Sequence, residues 1–272
     1  MLIDLHTHST ASDGQYTPTE LCAIIHDCGI EIWSLTDHDT VNGINEAIKT
    51  AERYSVSFIP GIEISAQDIV EVHILGYGID HRNKKLISKC SEFQADRHDR
   101  GRRIRDYLLS KDVDVDIDEV FRFAGGEVIG RPHFARYLVE HGIVENRNEA
   151  FDRYLDTEEF KRATDRKKPT PEETIDIIHE AGGLAVLAHP GNYKVDSNTL
   201  EHILNRLCSY GLDGLECYYS RYTPSQIDEY LSLAHRYGFI ITGGSDYHGE
   251  RVKPDINPGM EIDDNIVDWI VL

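Results

Sequence analysis

The stretch "IDLHTHSTASDG", residues 3–14, puts two histidines on alternate positions at the end of the first apolar run and follows them with Asp13. In an extended strand, residues i and i+2 face the same side. His6 and His8 therefore aim together at one place, a geometry suited to holding a cation. A single H-x-H pair is a weak motif by itself. Its meaning depends on what the rest of the chain brings to the same place.

Working outward, short apolar runs alternate with helical segments. "TPTELCAIIHDCG" reads as a helix with Thr17 as N-cap, Pro18 in the first turn and Gly29 at the stop. "IEIWSLTDHD" is the second apolar run and precedes the helical "VNGINEAIKTAERY"; "SFIPGIEISA" and "VEVHILGYGI" are the third and fourth. "LAVLAHPG", "LDGLECYY" and "FIITGGSDYHG" follow later, each preceded by a helical segment closed by glycine. This βα alternation predicts a parallel α/β fold. The link between the third and fourth runs is too short for a helix, which predicts one antiparallel pair there. Residues 84–170 carry helical spacing and no strand-like run. They read as a mainly helical insertion, a lid, between strands four and five of a domain made of residues 1–83 and 171–272. The charge run "EEFKRATDRKKP" reads as a solvated linker.

The ends of the apolar runs share one chemistry. The first ends in His6 and His8 with Asp13 beyond; the second in Asp37, His38 and Asp39; the third carries Glu63 and the fourth His73. The fifth ends in His189, the sixth in Glu216, the seventh in Asp246 and His248. In parallel α/β and barrel folds the C-terminal strand ends form one face, where active sites sit. Histidine or carboxylate at all seven ends is hard to explain by solubility. His73 reaches that face only if its strand runs backwards, in keeping with the short link before it. The remaining histidines are a control: His26, His179, His202 and His235 fall within helical segments, and His81, His98 and His141 in or beside the insertion, where they read as ordinary helix residues.

Composition sets the bounds. The 272 residues carry a formal net charge of -20, from 28 basic and 48 acidic side chains, with no basic stripe. Such a surface repels long polyanions, so a dedicated surface for long nucleic acid is not expected. Cys22, Cys28, Cys90, Cys208 and Cys217 form an odd, scattered set without a C-x-x-C pair. No disulfide framework is expected, and a reducing cytoplasm fits. No signal peptide is read at the N-terminus, and no apolar run approaches the roughly 18 residues of a membrane span. Composition says nothing of the oligomeric state.

Taken together, H-x-H, the following Asp, T-D-H-D, G-I-E, a lone His, H-P and G-S-D-x-H resemble the polymerase-and-histidinol-phosphatase (PHP) superfamily over nearly the whole chain. "VIGRPHFARYL" in the insertion resembles the branch of small-nucleotide and nucleoside-bisphosphate phosphoesterases, some of which are 5′-to-3′ exonucleases. The resemblance implies a distorted (β/α)7 barrel with a two- or three-metal centre. By motif, His6, His8, Glu63 and Asp246 would hold the first ion. Glu63 would bridge to a second held by His73 and His189, and Asp13, His38 and His248 would hold a third. Imidazole and carboxylate together suit Zn, Mn or Fe. Ligating histidines need acceptors at their outer nitrogens, a role open to Asp37, Asp39 and Glu216, which equally read as strand-end hydrogen bonders.

The resemblance also makes Arg131 and His133 phosphate contacts, so Asp246, His248, Arg131 and His133 are the residues expected at the reacting phosphate. A guanidinium matches phosphate oxygens in bidentate fashion; the plainer reading of Arg131 is a lid ion pair. Of Arg97, Arg100, Arg102, Arg103 and Arg105, one or two are expected to face the cleft. The leading function is metal-dependent hydrolysis of a small phosphorylated molecule: a nucleotide, nucleoside bisphosphate, ribose phosphate or cyclic phosphodiester. Water activated by the metals would attack phosphorus, and no side-chain nucleophile is needed. The alternatives are a histidinol phosphatase, which "GRPHF" and the lid count against, a 5′-to-3′ exonuclease on short oligonucleotides, and a non-catalytic PHP scaffold, which would be expected to have lost ligands. The segment "AFDRYLDTEEFKRATDRKKP" departs from the branch pattern of a glycine and a Tyr-Val-Pro-like strand after "AFDRYL", so adenine recognition is not carried over.

Overall fold

The computed structural model describes residues 1–123, 129–165, 168–263 and 269, without the side chains of residues 97 and 98. Ala124, Gly125 and Gly126 of the helix-like "IDEVFRFAGG" and the side chains of Arg97 and His98 thus lie outside the described residues.

Seven strands form the wall of a barrel: β1 (Leu2–Asp4), β2 (Ile32–Leu35), β3 (Ser57–Gln67), β4 (Glu71–Tyr77), β5 (Leu184–Leu187), β6 (Gly214–Tyr219) and β7 (Ile240–Gly244). Their order in the sheet is their order in the chain. A short eighth strand that the apolar runs do not announce, β8 (Met260–Glu261), pairs antiparallel with β1. The chain closes the barrel between β7 and the residues just past β1. The Leu5 amide donates to Gly243 O (3.2 Å), Asp246 N to His6 O (2.8 Å) and His8 N to Tyr247 O (2.9 Å). The expected antiparallel pair is β3 with β4, in register from Gly61 with Tyr77 to Gln67 with Glu71. Because β4 runs backwards, its first residues, Glu71 to His73, lie where the parallel strands end.

Three helices before or between strands start the same way. Thr17, Thr170 and Thr223 cap α1 (Pro18–Asp27), α8 (Pro171–Glu180) and α10 (Pro224–Tyr237), with proline next and Glu20, Glu173 or Gln226 closing a capping box. The threonine oxygen satisfies one orphan amide and the N3 side chain another, while proline sits where no donor is needed. With α2 (Ile44–Tyr54) and α9 (Ser197–Ser209), these helices cover the outside of the sheet. Strand alternation divides the core. Trp33, Leu35, Ile62, Ile64, Ile74 and Leu187 pack towards the helices, whereas Ile3, Leu5, Ile32, Leu75 and Val186 form a separate cluster on the opposite face.

Between β4 and α8 the chain is helical: α3 (Lys84–Leu109), α4 (Ile117–Phe123), α5 (Arg131–Glu140), α6 (Arg147–Ala150), a π-turn over Phe151–Leu155, and α7 (Glu158–Ala163). The first half of α3 belongs to the barrel core through Leu86, Cys90 and Phe93. Its second half, Ile104, Tyr107 and Leu108, joins a separate apolar cluster with Phe134, Leu138, Leu155 and Phe160. The charge run at 158–169, of which Arg166 and Lys167 lie outside the described residues, is not a solvated linker throughout. Its first part is helix α7, capped by Thr157, with Phe160 fully buried. One large apolar residue on a short helix decides the placement, and the surrounding charges merely coat its outer face. Among the described residues no helix is long and apolar enough to cross a membrane.

Barrel closure leaves no room at Gly244. A Cβ there would lie 2.3 Å from His6 Cβ and 2.5 Å from His6 N. Gly244→Ala should therefore push β7 away from β1 and cost about 1–3 kcal/mol, as overpacking does. Denaturant unfolding measures it, and an unchanged midpoint would show that the seam gives freely.

Candidate metal centre

The strand ends meet at Glu63. This carboxylate is buried at the middle of β3, and five imidazole nitrogens surround it. His73 Nδ1 lies 2.7 Å and His189 Nε2 3.1 Å from Oε1. His38 Nδ1 at 2.9 Å, His8 Nε2 at 3.3 Å and His6 Nε2 at 3.4 Å surround Oε2. Asp246 adds a second carboxylate, its Oδ1 3.3 Å from His8 Nε2 and 3.6 Å from His6 Nε2. On the far side, His248 Nε2 lies 3.3 Å from Asp13 Oδ1, and the rings of His8 and His248 stack at 4.0 Å.

Donor atoms fall into overlapping sets with the spacing of metal ligands: His8, Asp13, His38 and His248; His6, His8 and Asp246; His6, Glu63 and His189; His38, Glu63 and His73. All nine residues picked out by motif are in these sets. Their polar atoms test the fit. His6 Nε2, both ring nitrogens of His8, His38 Nδ1 and Glu63 Oε2 are buried and make no well-aligned hydrogen bond, although several of them face one another at 2.9–3.4 Å. Buried polar groups are ordinarily paired, and an unpaired one costs about 1–3 kcal/mol. Several orphaned lone pairs directed at one another are what a set of cations would satisfy. The donors, imidazole nitrogen and carboxylate oxygen, fit divalent first-row metals.

The electrostatics agree. Burial disfavours ionisation of Glu63, yet His38, His73 and His6 beside it hold its pKa well below the ordinary carboxylate value. Asp246 is held down in the same way, against burial, by Lys253, His248 and His6. Burial, with the neighbouring His248, lowers His8 to about 4, so its ring stays neutral. At His73, by contrast, burial is outweighed by Glu63, and the pKa rises to about 9. Without a metal the carboxylates draw protons onto such rings; metal binding displaces them.

The outer contacts separate the three acidic candidates. Glu216 serves the centre: its Oε1 lies 3.0 Å from His6 Nδ1, and Oε2 accepts from the His189 amide at 2.7 Å. Asp37 accepts from Ser9 N and Oγ and from Ser12 Oγ, and Asp39 accepts from Ser65 N. These two shape the loops around the centre. Two of the nine residues sit on unusual backbone, His189 with φ 26° and Asp246 with φ 59°. Non-glycine residues in this region are uncommon and cluster at functional sites.

Above the centre opens a cleft of about 250 Å³ whose wall includes Asp13, His38, His73 and His248. The insertion supplies Arg100, Arg131 and Arg147, and the C-terminal segment supplies Lys253. Arg131 has both of its expected features: it lines the cleft, and its Nη1 lies 3.1 Å from Asp156 Oδ1. His133 is buried and accepts the Gly130 amide at Nδ1 (3.0 Å); it lines an adjoining cavity of about 770 Å³ rather than the cleft. Of the basic helix, Arg100 reaches the cleft, whereas Arg102, Arg103 and Arg105 pair with Asp99, Asp96 and Asp106. Sequence reading missed Lys253, Arg147 and Tyr219. Lys253 Nζ lies 2.5 Å from Asp246 Oδ2, which also accepts from Tyr219 OH at 2.9 Å. Only the G-S-D-x-H motif just before Lys253 hinted at it.

Six imidazoles and three carboxylates gathered at the mouth of a (β/α) barrel, beneath a cleft with four basic side chains, define a metal-dependent hydrolase site. The chain belongs to the PHP domain family, whose profile matches residues 4–162. It is 33% identical over 267 residues to a 5′-3′ exoribonuclease of Haemophilus influenzae, covering 97% of this chain and 96% of that one. It is 32% identical over 248 residues to a 3′,5′-nucleoside bisphosphate phosphatase of Chromobacterium violaceum, covering 90% and 87%. It is 33% identical over 260 residues to a phosphoribosyl 1,2-cyclic phosphate 1,2-diphosphodiesterase of Eggerthella lenta, covering 92% and 95%. A sulfate-bound, metal-free amidohydrolase structure from Chromobacterium violaceum superimposes with a TM-score of 0.89 at 30% identity, covering 96% of this chain and 92% of that one. The protein is a metal-dependent phosphoesterase of α/β barrel fold.

Glu216→Gln keeps the shape of this contact but weakens the acceptor for His6 Nδ1. Metal affinity should fall about 10- to 100-fold, as with other outer-shell partners. Competition with a chromophoric chelator measures it, and unaltered affinity would reduce Glu216 to a structural hydrogen bonder.

Proposed function

We propose that the enzyme hydrolyses a small phosphorylated molecule, a nucleotide, nucleoside bisphosphate, ribose phosphate or cyclic phosphodiester, on two or three Mn, Zn or Fe ions. The observation that carries this reading is the convergence of nine ligand side chains beneath a small, cation-rimmed cleft. His6, His8, Glu63 and Asp246 hold one ion, and Glu63 with His73 and His189 a second. Asp13, His38 and His248 hold a third. Divalent ions bound there lower the pKa of water to about 7 and polarise phosphoryl oxygens.

The protein's own residues do the positioning. Arg131, at the start of α5, leaves Asp156 to grip the phosphate, a bidentate exchange that guanidinium geometry favours. His133 holds the Gly130 turn in front of it and faces the larger cavity. Asp246 and His248 stand at the reacting phosphate as ligands, and Lys253 covers the outer oxygen of Asp246. Within residues 84–170, the second half of α3 and helices α4 to α7 act as a lid domain over a barrel domain of residues 1–83 and 171–272, whose core the first half of α3 joins. The cleft volume suits one phosphoryl group with its sugar, which favours small substrates over long nucleic acid. The names of the relatives support both a mononucleotide and the end of a short oligonucleotide. All five cysteines are free, which supports a reducing cytoplasm.

Elemental analysis should find at least two equivalents of transition metal. Chelation should abolish phosphate release, and Mn²⁺ or Zn²⁺ should restore it; a fully active metal-free protein would end the proposal. Asp13→Ala and His248→Ala should each lower the occupancy of the third site selectively. A phosphate-release screen over mononucleotides, bisphosphates, cyclic phosphates, histidinol phosphate and oligonucleotides identifies the substrate.

Arg131→Ala should cut kcat/KM roughly ten- to a thousand-fold, the effect of losing a charge-assisted contact of about 1.5–4 kcal/mol, with metal content unchanged. Normal kinetics would leave Arg131 as the partner of Asp156 only.

A further inference from the structure

The arginines on the wall of the metal cleft all come from the insertion. Arg100 donates to Thr164 O, Arg131 pairs with Asp156, and Arg147 donates to Val252 O. The lysine on the same wall, Lys253, comes from the barrel side, just after the G-S-D-x-H loop. Its Nζ lies 2.5 Å from Asp246 Oδ2 and 3.4 Å from Asp246 O. Asp246 turns its other oxygen, Oδ1, to His6, His8 and His248. A single carboxylate thus stands between this ammonium and the metal-holding histidines.

The backbone fixes the arrangement. Gly249, with φ 93°, opens a turn in which the amides of Val252 and Lys253 both donate to Gly249 O, at 3.0 and 2.8 Å. Gln15 fastens that turn to the loop after β1: its Oε1 accepts from Arg251 N at 2.8 Å, and its own amide donates to His248 O at 2.7 Å. Asp246, His248 and Lys253 are therefore held as one unit. The Lys253 side chain is only 21% exposed. An ammonium has three donors and no acceptor. Asp246 takes two, and the third remains for the cleft.

Neutralising Asp246 does not account for this lysine. Tyr219 OH already donates to the same Oδ2 at 2.9 Å from the buried side, and Asn192 Nδ2 holds that hydroxyl at 3.1 Å. Once cations occupy the centre, a further positive charge against one of their ligands is repelled by them. Such a placement is favourable when an anion completes it.

We propose that Lys253 is a catalytic residue: anchored on Asp246 Oδ2, its ammonium donates to a non-bridging oxygen of the phosphoryl group being hydrolysed. This rests on the phosphoesterase reading above and adds a contact from the barrel side to that of Arg131 from the lid. Arg131 must first leave Asp156, whereas Lys253 is already in place. A donor fixed beforehand where charge develops stabilises the transition state without reorganising.

The test uses Mn²⁺-saturated wild type, Lys253→Met, Lys253→Arg and Tyr219→Phe. Calorimetry measures the binding of inorganic phosphate, chelator competition measures Mn²⁺ affinity, and kcat/KM is taken on the best substrate of the phosphate-release screen. Lys253→Met should weaken phosphate binding about ten- to a hundred-fold at saturating Mn²⁺, the effect of a lost hydrogen bond between charged groups. Its kcat/KM should fall at least as far, and Lys253→Arg should recover part of both losses. Tyr219→Phe removes a donor from the same Asp246 oxygen on the side away from the cleft. Its loss of phosphate affinity should be smaller than that of Lys253→Met by about fivefold or more. Phosphate affinity in Lys253→Met within about twofold of wild type would overturn the inference. So would equal losses in Lys253→Met and Tyr219→Phe that follow weakened Mn²⁺ binding, which would leave Lys253 as a support for Asp246. If Mn²⁺-saturated wild type neither binds phosphate nor releases it from any substrate of the screen, the phosphoesterase reading itself falls.

Discussion

Everything at the mouth of this barrel is arranged around one buried carboxylate. Glu63 sits on an eleven-residue strand, the longest in the sheet, and offers its two oxygens to two groups of histidines. His73 and His189 approach one oxygen; His38, His8 and His6 approach the other. A carboxylate so deeply buried is tolerable only if positive charge meets it on both sides. That demand explains the topology around it. β4 must run antiparallel, since a parallel fourth strand would place the His73 position at the wrong end. Asp246 must adopt a left-handed backbone, because that turn lets its amide hold His6 O while its carboxylate faces His6 and His8.

The strain is retained by a second buried carboxylate. Asp4 accepts from Ser245 N and Oγ, from Gly259 N and from His6 N. Burial raises its pKa to about 6 even so. These bonds tie the end of β1 to the turn after β7, the seam at which the barrel closes. The seam therefore does two tasks at once. It completes the wall, and it fixes His6, His8 and Asp246 against one another. A site with its side chains on both sides of a closure seam is pre-organised only if the seam is rigid, and glycine stands at position 244, where any Cβ would intrude on His6.

Much of this was legible in the residues. Strand alternation, the short link before "VEVHILGYGI" and the histidines at run ends point to the mainly parallel barrel, to the reversed fourth strand, which pairs antiparallel with β5 as well as with β3, and to the cluster of histidines and carboxylates at its mouth. Period-two placement is strictly local, so His6 and His8 could be read as neighbours from sequence alone. What stayed hidden depends on long-range folding. Lys253 meets Asp246 through a tight turn that no periodicity announces. Arg147 begins a four-residue helix, too short to show a pattern, and its position between two cavities comes from how the helices of the insertion pack. The charge run at 158–169 misleads because composition counts its many charges while the fold responds to Phe160. β8 is two residues long, too short to show an alternating pattern in the sequence, although Met260 packs against the inner apolar cluster.

The overall charge and the charge of the cleft act in opposite directions, and the difference bears on substrate size. A net charge of -20 lies over the whole molecule, yet Arg100, Arg131, Arg147 and Lys253 gather at one opening. The carboxylates beneath them, Asp13, Glu63 and Asp246, belong to the candidate metal-holding sets. Exposed charges are screened beyond about 8–10 Å in physiological salt. A single phosphorylated sugar at the opening therefore feels mainly the local cations, focused by the low-dielectric walls. The rest of the chain carries a large acidic excess, so the charge distribution fits the proposed reading, in which a small phosphorylated substrate is favoured over a long polyanion.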